Sequence, residues 1–152
     1  MAIKAFVFWS IYIRSTNHRK LREVHLPPIE RALDGTQFGW QVLVEDEHPK
    51  LTRLINYQNL EGSSVADIVL PVLRRAYRLA NGWTISGLYD LTADELRNIV
   101  GGWNSKKLLR GPPALESIMF EVLPGEISGR RNDGGWEILG EPGLTLRAPG
   151  KV

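Results

Sequence analysis

The longest amphipathic segment of the chain covers residues 63–83. Its apolar side chains recur at the i, i+3, i+4, i+7 spacing of one helix face, at Val65, Ile68, Val69, Val72, Ala76, Leu79 and Ala80. Ser64 is a favourable N-cap and Gly82 a favourable C-terminal stop, whereas Pro71 removes one helical hydrogen bond and predicts a kink. We therefore expect a capped helix that packs on a sheet with its arginines outward.

Residues 3–14 predict a strand that is apolar on both faces. One face carries Ile3, Ala5, Val7, Trp9, Ile11 and Ile13, and the other carries Phe6, Phe8 and Tyr12. A strand that is apolar on both sides belongs in the middle of a sheet that is covered on both faces. We expect residues 3–14 to form the central strand.

The remaining elements of residues 1–90 follow from shorter patterns. Pro28 suits the first turn of a short helix over 29–33, and alternation over 37–45 and 51–57 predicts a hairpin. A further strand is predicted over 83–89. The order βαββαβ is that of a ferredoxin-like arrangement.

Beyond residue 90 the sequence predicts a C-terminal helix and a β-meander. Thr92 and Glu95 form a capping box, so we expect a helix over 91–103 that ends at Gly101 and Gly102. A strand is predicted over 116–123, followed by short strands over 136–139 and 144–147. The expected fold is α+β, a mixed and largely antiparallel sheet with two or three helices, in which 1–152 is a single domain and 91–152 extends the ferredoxin-like half.

Composition places the chain among ordinary globular proteins. Its 152 residues are 43% hydrophobic and 24% charged, which suits one domain with its own core. The absence of cysteine excludes disulfides and thiolate metal sites and favours a reducing compartment. The apolar opening is followed by no small-x-small cleavage site, and no segment reaches 18 apolar residues. We expect a soluble, cytoplasmic protein with no membrane partner.

Residues that could carry catalysis are sparse. His18, His25 and His48 have no metal-binding spacing, and no nucleophile elbow or phosphate-binding glycine loop is present. Glu116 and Glu121 lie five apart on a predicted strand and so face opposite sides. The sequence therefore predicts no metal or cofactor and favours a non-enzymatic protein, with a diffuse site around His18 or His25 as the third hypothesis.

Basic residues supply most of the candidate partner contacts, although the net charge is only +2. A nucleic-acid site would need them on one continuous face. The candidate residues are Arg14, His18, Arg19, Lys20 and Arg22 after the first strand, Arg74, Arg75 and Arg78 on the 63–83 helix, and Arg130, Arg131 and Trp136 near the end of the chain.

Tryptophan shows an unusual pattern, because four of the five follow a glycine directly: Trp40, Trp83, Trp103 and Trp136. A tryptophan that follows a turn glycine folds back over that turn, so the structural interpretation is favoured. Recognition of a partner protein or a sugar is the alternative.

No family motif is present in the chain. The leading hypothesis is a non-enzymatic protein-binding module, such as an inhibitor, an immunity-type neutraliser or an adaptor, that presents one face of its sheet to a macromolecule. The alternative is a nucleic-acid-binding protein that uses the basic segment 14–22 and the arginine face of the helix. The sequence does not determine the oligomeric state.

Overall fold

The computed structural model describes residues 2–15, 17–34, 41–44, 51–87, 96, 98–105, 114–125, 128–132, 135–139 and 145–146. Its helical elements are α1 (His18–Lys20), a π-helical turn (Leu21–His25), α2 (Leu26–Ala32) and α3 (Val65–Leu79). Its strands are β1 (Ile3–Ile13), β2 (Gln41–Val44), β3 (Thr52–Gly62), β4 (Thr84–Ser86), β5 (Ile99–Asn104), β6 (Leu115–Pro124), β7 (Ser128–Asn132), β8 (Gly135–Leu139) and β9 (Thr145–Leu146).

A six-stranded antiparallel sheet organises the fold. Its strand order is β2-β3-β1-β6-β5-β4, so β1 lies in the interior of the sheet as predicted. The pairing of β1 with β3 covers both strands completely, from Ile3 opposite Gly62 to Ile13 opposite Thr52. The mixed α+β class expected from the sequence is confirmed. A second sheet of consecutive antiparallel strands, β7-β8-β9, follows at the C-terminal end.

The core lies between one face of this sheet and the helices. Alternate residues of β1, such as Val7, Trp9 and Ile11, are fully buried there against the apolar faces of α2 and α3. The ring centroids of Trp9 and Phe120 are 5.3 Å apart. Every second residue of β1 and the residues on one face of each helix are therefore buried in the same layer.

Helix α3 confirms the main helix prediction. The Ser64 hydroxyl accepts a hydrogen bond from the backbone N–H of Asp67 at 3.3 Å, and Gly82 has a φ of 88°, a left-handed value that favours glycine. The helix continues through Pro71. Hydrogen bonds from the hydroxyl and backbone N–H of Ser63 hold the pKa of the Asp67 carboxyl below its usual value.

A π-helical turn joins α1 to α2 within a segment that was expected to be helical only from residue 29. Pro27 and Pro28 have no backbone N–H and cannot complete the usual i to i−4 bonds at this point. The N–H of Leu26 instead donates to the carbonyl of Leu21, five residues back. The helical segment therefore begins earlier than predicted and widens just before its prolines.

The predicted ferredoxin-like arrangement is not confirmed, although the chain order through β4 is βαββαβ. The two neighbours of β1 are β3 and β6, whereas β4 pairs with β5 at the sheet edge. The physical reason is burial: Ile118, Phe120 and Val122 of β6 lie opposite β1 and are buried, whereas β4 has three residues and two of them are exposed.

The predicted C-terminal helix is wrong for residues 99–103, which belong to β5. Gly101, expected to end the helix, lies in the strand directly opposite Phe120, and an added Cβ there would overlap the Phe120 ring. Glycine at this position leaves the space that the Phe120 ring occupies. The capping-box residues 91–95 lie outside the described residues.

Candidate partner-binding site

One face of the sheet carries a cluster of aromatic side chains from its central strands. Phe8 of β1 lies directly opposite Tyr57 of β3, with ring centroids 4.8 Å apart. Phe6 lies 6.4 Å from the same tyrosine ring. These residues point away from the core layer, because Val7 and Trp9, their neighbours along β1, point into it. In the part of the chain that the structure describes, the helices pack on the opposite face.

Arg53 lies beside this aromatic cluster and is held there by a hydrogen bond and two ring contacts. Its Nε donates a hydrogen bond to the Ser10 hydroxyl at 2.8 Å, and its guanidinium carbon lies 5.9 Å from the ring centroids of both Phe8 and Tyr12. A guanidinium in this position is held by hydrogen bonding and by the negative faces of two rings. The aromatic–arginine face, defined here as Phe6, Phe8, Tyr12, Arg53 and Tyr57, is therefore pre-ordered. Phe6 and Tyr57 are only 8% and 6% exposed, so its accessible members are the half-buried Phe8, Tyr12 and Arg53.

An exposed methionine extends the aromatic–arginine face onto β6. Met119 lies opposite Ser10 and is 45% exposed. Charges of both signs border the face: Glu121 lies opposite Phe8 beside Met119, and Lys4 lies opposite Glu61 at the far end of the face, beyond Phe6. The face thus combines aromatic, arginine and methionine side chains with a border of mixed charge.

The basic segment 14–22 lies at the end of β1 and along the start of the helical segment. Arg14 forms an ion pair with Glu116 at 3.3 Å, and Arg19 forms an i,i+4 pair with Glu23 at 3.3 Å. The side chains of Arg14, Arg19, Lys20 and Arg22 are exposed, and His18 begins α1. The segment is a solvated surface whose charge is partly balanced.

Two of the three α3 arginines take part in a network that reaches the core. The Nε of Arg75 donates to Asp34 at 3.3 Å, and its Nη1 donates to Gln58 at 3.1 Å. Gln58 also accepts from the indole N–H of Trp9 at 2.9 Å. Arg75 thereby connects a surface carboxylate to a buried tryptophan, a structural role that sequence reasoning did not identify.

Arg78 completes this network. Its Nη1 donates to Asp34 at 2.5 Å and to the carbonyl of Ala32 at 3.3 Å. The hydrogen bond from Arg78, aided by Arg75, holds the pKa of the Asp34 carboxyl below its usual value. Arg74, in contrast, is exposed.

The two predicted basic groups do not coincide. Arg75 and Arg78 contact the C-terminal end of α2, whereas the basic segment 14–22 lies at the beginning of the same helical segment. Arg22 and Ala32 are ten positions apart, which corresponds to about 15 Å of helix. The two basic groups therefore lie near opposite ends of the helical segment.

The C-terminal candidates lie in the second sheet. Arg130 and Arg131 belong to β7 and Trp136 to β8, and the backbone register places Arg131 directly opposite Trp136. Residues opposite each other in an antiparallel pair share a face of the sheet.

Trp83 and Trp103 support the structural interpretation of the glycine–tryptophan pairs. Trp83 donates its indole N–H to the carbonyls of Ala76 and Ala80 at the end of α3, and Trp103 is buried in the core.

Within the described ranges, no group of three or more histidine, aspartate or glutamate side chains is placed to hold a metal ion. None of the described helices is long and apolar enough to cross a membrane.

In comparisons with known proteins, no family model, no curated protein and no solved structure matches the chain.

Sequence reasoning missed Arg53, Tyr57 and Met119 as candidate site residues. Their signal was present, because Arg53 and Tyr57 occupy alternate positions of a predicted strand. What was missing was the knowledge that this strand pairs with β1, which brings Tyr57 opposite Phe8 and Arg53 opposite Tyr12.

Proposed function

We propose that this chain is a non-enzymatic protein-binding module that binds a partner protein through the aromatic–arginine face. The observation that carries the proposal is the exposed Met119 beside the ordered, half-buried side chains of Arg53, Phe8 and Tyr12. The buried Phe6 and Tyr57 order this face and do not contact the partner. Aromatic residues, methionine and arginine are the types enriched at the centres of protein interfaces. Their rigid arrangement lowers the entropy lost on binding.

The mixed charges at the border favour a protein over a polyanion. Glu121 and Glu61 would repel a phosphate backbone, whereas a protein surface can match Lys4 and Arg53 with acids and the glutamates with bases. An inhibitor, an immunity-type neutraliser and an adaptor all act in this way. We place this activity in the cytoplasm, as the cysteine-free composition favours.

Photo-cross-linking in the native host tests the proposal directly. Benzoylphenylalanine is introduced at Met119 or, as a matched control, at Leu70, an apolar residue of α3 that is 48% exposed on the helical side. We expect a discrete protein adduct from position 119 and none from position 70. The captured protein is then purified and titrated against Met119→Asp and Leu70→Asp. The first substitution should weaken binding at least tenfold, as expected for an interface centre, and the second should leave it unchanged.

Adducts from both positions, or from neither, would contradict binding through the aromatic–arginine face. Equal affinities of the two variants would do the same.

Nucleic-acid binding is the second candidate function. It is supported by the exposed cations Arg14, Arg19, Lys20 and Arg22 and by aromatic rings of the kind that stack on bases. Binding to a labelled single-stranded oligonucleotide should then fall steeply as salt is raised from about 50 to about 200 mM. No binding at the lower concentration would eliminate this candidate.

A further inference from the structure

An apolar pocket of about 270 Å³ lies on the helical side of the sheet, away from the aromatic–arginine face. It opens between the end of β1, the start of β6 and the first turn of α2. Its lining residues are Ile13, Val24, His25, Pro28, Ile29, Ala114 and Leu115. Among these, His25 has the one ionisable side chain, so the pocket is apolar with a single polar group.

The π-helical turn forms one wall of the pocket. Val24 and His25 end this wider turn, and Pro27 and Pro28 have no N–H to donate to the carbonyls of Glu23 and Val24, four residues back. Val24 is consequently 57% exposed, whereas Ile29, one turn further on, is buried. Single π-helical turns occur frequently at functional sites.

The size of the pocket indicates what it accepts. An apolar cavity of about 150 Å³ holds one benzene molecule, and pockets for drug-sized ligands begin at about 300 Å³. A volume near 270 Å³ therefore suits one large aromatic side chain. Pockets of this kind receive anchor residues in protein interfaces.

The charges around the pocket define the rest of the partner. Arg14 directly follows the lining residue Ile13, and Lys20 lies about one helical turn before Val24. Four exposed cations of the basic segment 14–22 outnumber the three carboxylates that lie beside the lining residues or pair with these cations, those of Glu23, Glu30 and Glu116. The surroundings are therefore net positive and complement acidic residues.

We propose that this pocket is a second partner site, which takes one aromatic side chain from an acidic segment of a partner protein. The site is independent of the aromatic–arginine face, from which it is separated by the sheet. Apolar burial supplies affinity, and the basic segment 14–22 attracts and orients the acidic flanks.

The test is an NMR titration of the full ¹⁵N-labelled chain with synthetic peptides. The probe peptide has a central tryptophan between aspartates and glutamates, and two control peptides replace either the tryptophan by alanine or the acids by lysines. We expect saturable shifts at Val24, His25 and Ala114 with the probe alone. Either control should bind at least about tenfold more weakly.

Two protein variants locate the binding. Val24→Glu should abolish the titration, whereas Leu70→Glu, at a similarly exposed apolar position on α3, should leave it unchanged. Because both positions are exposed, both variants should fold, which the dispersion of their spectra checks. Met119→Asp should also leave the peptide titration unchanged, so that failure here and failure of the proposed function are distinguishable.

Several results would overturn the proposal. These are equal binding of the probe and either control peptide, no saturable shift, or the same response from the two glutamate variants. Displacement of the peptide by a single-stranded oligonucleotide would assign the site to nucleic acid instead. A dimer that dissociates in Val24→Glu would show that a second copy of the chain covers the pocket.

Discussion

At the scale of single residues, Asp34 connects the two main helical segments. Its carboxylate accepts from Arg75 and Arg78 of α3, while its own backbone ends α2 with a φ of 57°. Left-handed backbone is tolerated by aspartate and asparagine better than by most other residues. One position therefore combines a chain turn with an ionic contact between helices.

Asp34→Asn tests this contact, because asparagine keeps the size and the turn but removes the charge. The folded state holds the pKa of Asp34 below its ordinary value, so its stabilising contribution is present above the unfolded pKa of about 3.9 and is lost as pH falls through the folded value. The side chain is 51% exposed, so solvent screening limits the loss at pH 7 to about 1 kcal/mol. Urea unfolding at pH 7 and near pH 3 measures it. A difference between the proteins that persists unchanged at low pH would contradict the ionic explanation.

At the scale of elements, a tryptophan side chain donates hydrogen bonds at the C-terminal end of α3. The indole N–H of Trp83 donates to the carbonyls of Ala76 and Ala80 at 3.0 and 2.9 Å, and its ring lies 5.4 Å from that of Phe120. The last carbonyls of a helix have no partner within the helix. The Ala76 carbonyl already accepts from the backbone N–H of Ala80 at 3.1 Å, so the indole mainly supplies a partner to the Ala80 carbonyl.

Trp83→Phe keeps an aromatic ring but removes the donor. We expect a loss of about 1–3 kcal/mol in the free energy of unfolding, since the Ala80 carbonyl loses its indole donor. Chemical denaturation followed by circular dichroism measures it, because tryptophan fluorescence changes with the substitution itself. Tyr77→Phe, at an exposed position of the same helix, is the control and should change stability little. Equal effects of the two variants would show that the indole donor contributes nothing.

The elements differ in how well local sequence determines them. Helix α3 was predictable because its cap, its period and its stop signal all agree. Residues 99–103 were not, because Ile99, Val100 and Trp103 fit a helix stripe while Ile99, Gly101 and Trp103 also fit a strand. Pairing with β6 and the space that Phe120 needs over Gly101 decided between them.

At the scale of the whole molecule, the six-stranded sheet is complete by residue 125. Its last strand in the chain, β6, inserts beside β1, and the second sheet meets it through contacts of β9 with β2. Every described residue of the main core therefore lies before residue 126.

A chain shortened to residues 1–125 should consequently fold. We expect a single cooperative thermal transition and a far-ultraviolet spectrum that retains its helical signal, because each described strand and helix of the main core is present. Differential scanning calorimetry and circular dichroism, with the full chain as reference, measure both. A broad, non-cooperative transition would show that the second sheet is part of the main folding unit.

The candidate sites also belong to this scale. Arg75 and Arg78 were candidates because they are basic and helical, yet the adjacent turn at Asp34 engages both. Arg53 and Tyr57 lie on one side of a predicted strand, but only the pairing of that strand with β1 brings them to Tyr12 and Phe8. The lining of the pocket likewise comes from three parts of the chain. The composition of each candidate site depends on which distant residues the fold brings together, and a single sequence does not specify this.

The sequence by itself determined the α+β class, the interior strand β1 and helix α3 with both its ends. These follow from periodicity and capping, which act within a few residues along the chain. Only the tertiary structure decided that β6 pairs with β1, that residues 99–104 form a strand, and that aromatic rings and Arg53 share one face. The physical reason is that strand pairing and side-chain packing join residues far apart in the chain, whose energies depend on the complete fold.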